Sequence, residues 1–282
     1  MATTTQTTGA PAATRTDPAL RTGAAKFFAD TWAVFAREIL LVLRDPFTLI
    51  FSLLQPLVFL GLFGPLLTGA VGGSFGGGDG ASTADTLQWF VPGVIVMISL
   101  FGTSMSGSNL LYEFMTGSYE RVLATPLDRS AILVGRSLKE FAPLVVQGLI
   151  IALVCVPFGF TLYPLHLLAG LLLLGLFGIG VGALSIALAL AAKNREWLFW
   201  GVQQTLLFPL LILSGMMLPL EAGPAWMRTV ALFNPLTYVV DAERALLAGS
   251  FADTDVLWGF VAAAVTCVVG LWVGIRRTRR TV

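Results

Sequence analysis

Six apolar runs, each about as long as a bilayer is thick, divide this chain at 47–68, 89–111, 141–163, 167–191, 197–218 and 256–275. About 20 such residues in a row cross the hydrocarbon core as a helix, because a helix satisfies its own backbone polar groups where no water can. The predicted fold class is an all-α integral membrane protein with six transmembrane helices. Composition agrees: 12% of the residues are charged and 56% are hydrophobic, against roughly a quarter charged in soluble domains. Charge then sets the orientation. Fifteen of the seventeen Lys and Arg residues fall on one side of the six-run pattern. They precede the first run (Arg15, Arg21, Lys26, Arg37, Arg44), separate the second from the third (Arg121, Arg129, Arg136, Lys139) and the fourth from the fifth (Lys193, Arg195), and follow the sixth (Arg276, Arg277, Arg279, Arg280). Arg228 and Arg244 lie on the other side. The positive-inside rule therefore predicts cytoplasmic N and C termini in a multi-pass protein.

The segments between the runs have their own signatures. Residues 1–25 are rich in Thr and Ala and lack an apolar h-region, so they read as a disordered cytoplasmic tail and not as a signal peptide. Over 26–45, Phe28, Trp32, Phe35, Ile39 and Val42 recur at helical spacing while Asp30, Arg37 and Arg44 share another face. Such a stretch makes an amphipathic helix lying in the cytoplasmic interface; a loose N-terminal extension is the alternative. The stretch GAVGGSFGGGDGASTADT is a flexible outer loop, and 276–282 is a basic cytoplasmic tail. Between Pro219 and Asp255 a helical pattern runs through Leu236, Val239, Val240 and Leu247, punctuated by Asp241, Glu243 and Arg244. It is too short and too charged to span, so it predicts outer helices, interfacial or re-entrant, before the last run.

Several chemistries are missing. A phosphate-cradling loop needs Gly-Lys-Ser/Thr, and Ala, Leu and Ala precede Lys26, Lys139 and Lys193. The span centres contain no Asp, Glu or His for an ion or proton relay. One histidine, His166 in an outer turn, cannot build a metal site, and Cys155 and Cys267 lie in apolar runs without neighbouring ligand types. No catalytic residue, cofactor or metal is assigned to this chain, and energy for any transport must come from elsewhere.

Polar side chains inside a bilayer are costly, so those present mark either helix contacts or a transport path. The path candidates are Gln55, Asn109, Gln147, Gln203 and Gln204; Thr103, Ser104, Ser106 and Ser108 suit hydrogen bonds between helices. Gly175, Gly178, Gly180 and Gly182 read as a close-packing face. A path lined by Phe, Leu, Met and uncharged amides suits an amphipathic or apolar solute better than an ion. The longest inner loop, YEFMTGSYERVLATPLDRSAILVGRSLKE, opens at Glu113, turns at Gly117, continues with Glu120-Arg121 and reaches Thr125-Pro126. Spacing alone allows a compact element that transmits force from a soluble partner, or an ordinary solvated loop.

This loop, with Phe90-Val91-Pro92-Gly93 at the second run and Trp226…Asn234-Pro235-Leu236-Thr237-Tyr238…Asp241…Arg244 before the last, resembles the membrane subunit of type-2 ABC transporters, in particular drug exporters of the daunorubicin-resistance type. The resemblance extends from about Lys26 to Arg277 and rests on the order and spacing of these motifs. It implies a permease of the bacterial plasma membrane that pairs with a second, identical or homologous permease and docks on two copies of a separate ATPase. ATP and Mg would then be bound by that partner, and this chain would be a transport subunit, not an enzyme. Carried onto these residues, the family's ATPase-coupling surface is the 26–44 helix, with Arg37 and Arg44, together with Glu113, Gly117, Glu120, Arg121, Thr125 and Pro126. Its outer signature is Trp226, Asn234, Pro235, Asp241 and Arg244. The implied cargo is a drug, antibiotic or lipid moved by alternating access. An exporter of polysaccharide or teichoic acid precursors, an ion-coupled carrier and a scaffold without transport are the alternatives; no nucleic-acid partner is implied.

Overall fold

A helix that is apolar all round has to be surrounded, and α8 (Pro164–Ala191) is. In the computed structural model, which describes residues 23–44, 46–70, 83–125, 127–193, 195–216, 220 and 223–280, it forms the centre of an all-helical assembly. Before it in the chain come α1 (Ala24–Arg44), α2 (Pro46–Ala70), α3 (Thr83–Ser104), α4 (Ser106–Met115), α5 (Ser118–Leu123), α6 (Arg129–Lys139) and α7 (Phe141–Cys155). After it come α9 (Glu196–Ile212), α10 (Ala225–Ala231), α11 (Pro235–Leu247) and α12 (Thr254–Arg280). Helices α3, α4, α6, α7, α11 and α12 all pack on α8. Its glycines do not form the single face that their spacing suggests. Gly175 meets the Phe141 ring of α7, a Cβ on Gly178 would sit 2.8 Å from Thr103 of α3, and one on Gly180 would sit 2.5 Å from the Thr266 carbonyl of α12. A central helix needs small residues wherever a neighbour crosses it.

Four helical stretches are long and apolar enough to cross a membrane: Ala84–Met115, Arg129–Phe158, Pro164–Ala191 and Thr254–Arg280. The first joins α3 to α4 through Met105, and the second joins α6 to α7 through Glu140. The runs at 47–68 and 197–218 correspond to α2, whose apolar part is Ile50–Phe63, and to α9, 17 residues long. Most of the 112–140 segment is helical, because α4 continues to Met115 and α5 and α6 follow. The third run ends earlier than its hydropathy suggests. Pro157 lacks an amide proton, and α7 gives way to a 3-10 turn at Val156–Phe158. Residues 1–22, most of the glycine-rich outer segment, Pro126, Asn194 and Val282 lie outside the described residues.

The main core lies between α3, α7, α8 and α11, around Phe90, Ile95, Leu100, Ile151, Leu173, Leu174 and Leu246. On its flank, Phe59 and Phe63 of α2 stack with Phe90 at centroid distances of 5.9 and 6.4 Å. Helix α11 begins deep and climbs beside the end of α9. Asn234 Nδ2 donates to the Leu210 carbonyl (2.7 Å) and Thr237 Oγ1 to that of Leu213 (3.1 Å). Its start shares a cavity with Thr266, twelve residues into α12, or about 18 Å along a helix. The start of α11 therefore reaches as deep into the helix assembly as the middle of α12.

Candidate functional site

Helix α6 carries Arg136 and Lys139 into the space between α1, α4 and the α6–α7 joint. Arg136 Nη2 lies 2.6 Å from Glu113 Oε2 of α4, and its Nε lies 3.7 Å from Glu38 Oε1 of α1. Lys139 Nζ is 3.3 Å from Glu38 Oε2 and 3.9 Å from Glu140 Oε1, and Ser106 Oγ donates to Glu140 at 2.5 Å. Glu38, Arg136 and Glu140 are 6%, 7% and 8% exposed. Charges this far from water cost several kcal/mol each unless paired, which is why two cations sit among three carboxylates. The network ties the N-terminal helix to the bases of two membrane helices. Around it, Thr31 and Val34 of α1 close on Gly135 of α6, and Asp30 Oδ2 accepts from the Asp128 amide at 3.0 Å. Asp128 in turn caps α6, accepting from Ser130 N at 2.7 Å. The Tyr119 ring of α5 lies under the Arg136 guanidinium (5.9 Å), and burial pushes its phenol above the usual value against the opposing pull of that cation.

The residues proposed for ATPase coupling divide into two groups. Glu113 faces inward onto Arg136, whereas Arg37, Arg44, Glu120, Arg121 and Thr125 are exposed. Gly117 takes a left-handed φ of 66° at the turn that starts α5, and Pro126 lies outside the described residues. On α1, the apolar residues Phe28 and Trp32 remain 70% and 68% exposed, because the helix docks on α6 through a different face, Thr31, Val34 and Glu38. Glu38 and Glu140 were not singled out from sequence, and Arg136 and Lys139 were read only as markers of orientation. The available signal was Glu38 falling one turn after Val34 on an amphipathic helix. The terminal arginines are also engaged: Arg279 Nε donates to Ser130 Oγ of α6 at 3.2 Å.

Of the path candidates, three gather. Asn109 and Gln147 line a cavity of about 550 Å³ between α1, α3, α4 and α7, with Lys139 and Glu140 at its rim. Gln55 lines an adjoining 200 Å³ cavity that shares Ser52 and Gln147. Gln147 Nε2 also donates to Ser52 Oγ (2.6 Å), an interhelical bond between α7 and α2. Gln203 lies elsewhere, buried behind α11, and Gln204 faces outward from α9. Thr103, Ser104 and Ser108 bond to carbonyls of their own helical segments, so only Ser106 of that group bridges to another helix's side chain.

The outer signature converges on α11. Asn234 caps it, accepting from Leu236 N at 3.0 Å, and Pro235 occupies its first position. Arg244 donates to the carbonyls of Gly215 (2.9 Å) and Met216 (3.2 Å), stacks 3.9 Å over the Trp89 ring and lies 3.7 Å from Asp241. It thereby fastens the end of α9 to α3 and α11. Trp226 takes no part in this; it is 63% exposed on α10. Glu243 has no counterpart among the sequence candidates. It is wholly buried, and its carboxylate lies against Gly170 of α8, where a Cβ would meet Oε1 at 2.5 Å.

The profile of the ABC-2 type transporter family matches residues 29–248, from the first turns of α1 to the end of α11. The chain is 30% identical over 213 residues to the daunorubicin resistance ABC transporter permease protein DrrB1 of Streptomyces coeruleorubidus, covering 75% of this chain and 72% of that one. It is 31% identical over 228 residues to the putative transport permease ycf38 of Cyanophora paradoxa, covering 79% and 76%. Similarity to the probable multidrug ABC transporter permease YbhR of Escherichia coli K12 is lower, 23% over 177 residues, covering 61% and 46%.

Proposed function

We propose that this chain, which belongs to the ABC-2 type transporter family, is the permease subunit of an ATP-driven exporter of hydrophobic or amphipathic compounds. Six helices span the membrane, α2 and α9 completing the four longer stretches, with both termini cytoplasmic. A second permease copy pairs with it, and two copies of a separate ATPase bind below. The observation that carries this reading is the family match over 29–248, which includes both the α1–α6 platform and α11. The similarity to a daunorubicin resistance permease and a probable multidrug permease supports an apolar or amphipathic cargo.

The geometry suggests how force would pass. Exposed Glu120 and Arg121 on α5, with Arg37 and Arg44 on α1, meet the ATPase. The Glu38–Arg136–Glu113 and Lys139–Glu140 pairs then carry movement of that platform into α4 and α7. ATP-driven approach of the two ATPases rocks the permease halves and alternates access.

The test is reconstitution of the permease with its ATPase in proteoliposomes. Replacing Glu120 and Arg121 together with Ala should lower substrate-stimulated ATP hydrolysis several-fold while membrane insertion is unchanged. Transport by the permease without ATPase and ATP would refute the ATP-driven reading. Full stimulation in the double variant would remove α5 from the docking surface.

A further inference from the structure

A cavity of about 320 Å³ is walled by α3, α8, α9, the first turn of α11 and α12. Its lining is mostly Leu, Val and Phe, with five polar side chains: Ser104, Ser185, Gln203, Asn234 and Thr266. Four of the five are satisfied by main-chain carbonyls. Ser104 Oγ donates to Leu100 (2.5 Å), Ser185 Oγ to Ser104 (2.5 Å), Thr266 Oγ1 to Ala262 (2.8 Å) and Asn234 Nδ2 to Leu210 (2.7 Å). Gln203 is the exception. It is 6% exposed, and among the described residues its carboxamide oxygen is enclosed and accepts no hydrogen bond. Buried polar groups in folded proteins are nearly always paired, and a leucine would suit this wall better if nothing were to meet the amide.

The cavity also has a neighbour. It shares Leu184, Pro235 and Thr266 with a groove of about 520 Å³ between α11 and the flank of α12. Phe233, Trp258 and Val265 of that groove are exposed, at 85%, 56% and 56%, on a surface that faces lipid if α12 spans the membrane. Among the described residues, neither the cavity nor the groove is lined by an ionisable side chain other than the Tyr238 phenol. A charged ligand would therefore be desolvated without compensation, and a polyhydroxylated one would find a single free partner for many groups. The volume is at the small end of the range for ligand sites.

We propose that this cavity binds a neutral, lipid-soluble molecule whose apolar body carries one hydroxyl or carbonyl oxygen, and that Gln203 recognises that oxygen. The ligand enters sideways from the hydrocarbon through the α11–α12 groove. Whichever way its amide is turned, Gln203 offers both a donor and an acceptor, so alcohols and ketones are both accommodated. The proposal deepens the exporter reading and rests on it only for the ligand's fate; binding itself does not require transport.

The experiment uses full-length permease in phosphatidylcholine nanodiscs and two photoactivatable probes, a diazirine-bearing hexadecanol and the matching hexadecane. The alcohol should label α9 and the start of α11 about three- to tenfold more tightly than the alkane, the ratio one net hydrogen bond supplies. Gln203→Leu should abolish that ratio and leave alkane labelling in place, and Val181→Phe should weaken both probes. Equal labelling by the two probes in the unaltered protein overturns the proposal without reference to any variant, as does an unchanged ratio in Gln203→Leu. Competition by a long-chain prenol identifies a resident lipid as the source, and competition by a steroid with a single ketone a dissolved apolar ketone; displacement by neither overturns the proposal. ATP hydrolysis by the assembled transporter is measured with the same compounds. A ligand that binds through Gln203 yet leaves hydrolysis unchanged counts against the exporter reading at this site and not against the site.

Discussion

Arg136 is the residue on which the charged cluster turns, since it faces Glu38 of one helix and Glu113 of another. Removing one partner of a buried pair leaves the others as uncompensated charges, which costs about 3–5 kcal/mol. Glu113 keeps a quarter of its side chain accessible, 24%, and so can recover some hydration. Arg136→Ala is accordingly expected to cost about 3 kcal/mol, at the low end of that range, and to lower the thermal unfolding midpoint in detergent. Arg136→Lys retains the charge but loses the forked geometry and should recover only part of the loss. A midpoint unchanged in Arg136→Ala would show that the cluster does not hold α1 in place. From sequence these charges resembled loop residues and topology markers, and two of the three carboxylates they meet, Glu113 and Glu38, are remote in the chain. Glu38 and Lys139 stand 101 positions apart. A partner at that distance leaves no local periodicity to detect.

At the scale of elements, the closest approach is between α8 and α12. A Cβ on Gly270 would collide with the Gly180 carbonyl, and one on Gly180 would sit 2.5 Å from the Thr266 carbonyl. These are backbone atoms, which cannot swing aside as a flexible side chain would. Gly270→Ala should therefore separate the helices and destabilise the protein by about 1–3 kcal/mol, the usual cost of overpacking, or more. Size-exclusion profiles after graded heating would measure this, with Gly201→Ala as the control, because a Cβ there meets nothing within 4 Å. The glycine spacing in α8 correctly indicated close packing. It did not indicate three different neighbours, because the pattern records that a residue is small and not which helix crosses it. The segment from α10 to α11 was more legible. Charge excluded it from spanning, and Asn234-Pro235 mark a capped helix start. Its placement depends on α3, α8 and α12, and the burial of its Glu243 on Gly170 of α8.

For the whole molecule, the testable quantity is topology. In a background with Cys155 and Cys267 replaced, Leu165→Cys should react with an impermeant maleimide from outside the cell. Lys193→Cys should react only after permeabilisation. Both positions are exposed in the fold, so accessibility reports the side of the membrane and not burial. The opposite labelling pattern would invert the orientation inferred from charge. Membrane class, helical architecture and family were all readable in the chain, because hydropathy over 20 residues and short motif order are local properties that survive without neighbours. The tertiary structure alone decided how those residues are used. It turned Glu113 inward and left Glu120 outward, gathered Gln55, Asn109 and Gln147 while isolating Gln203, and docked α1 on α6 through Thr31, Val34 and Glu38, leaving Phe28 and Trp32 exposed. In an apolar medium a polar side chain is stabilised by a partner, and which partner it finds depends on helix crossings that a linear pattern does not encode.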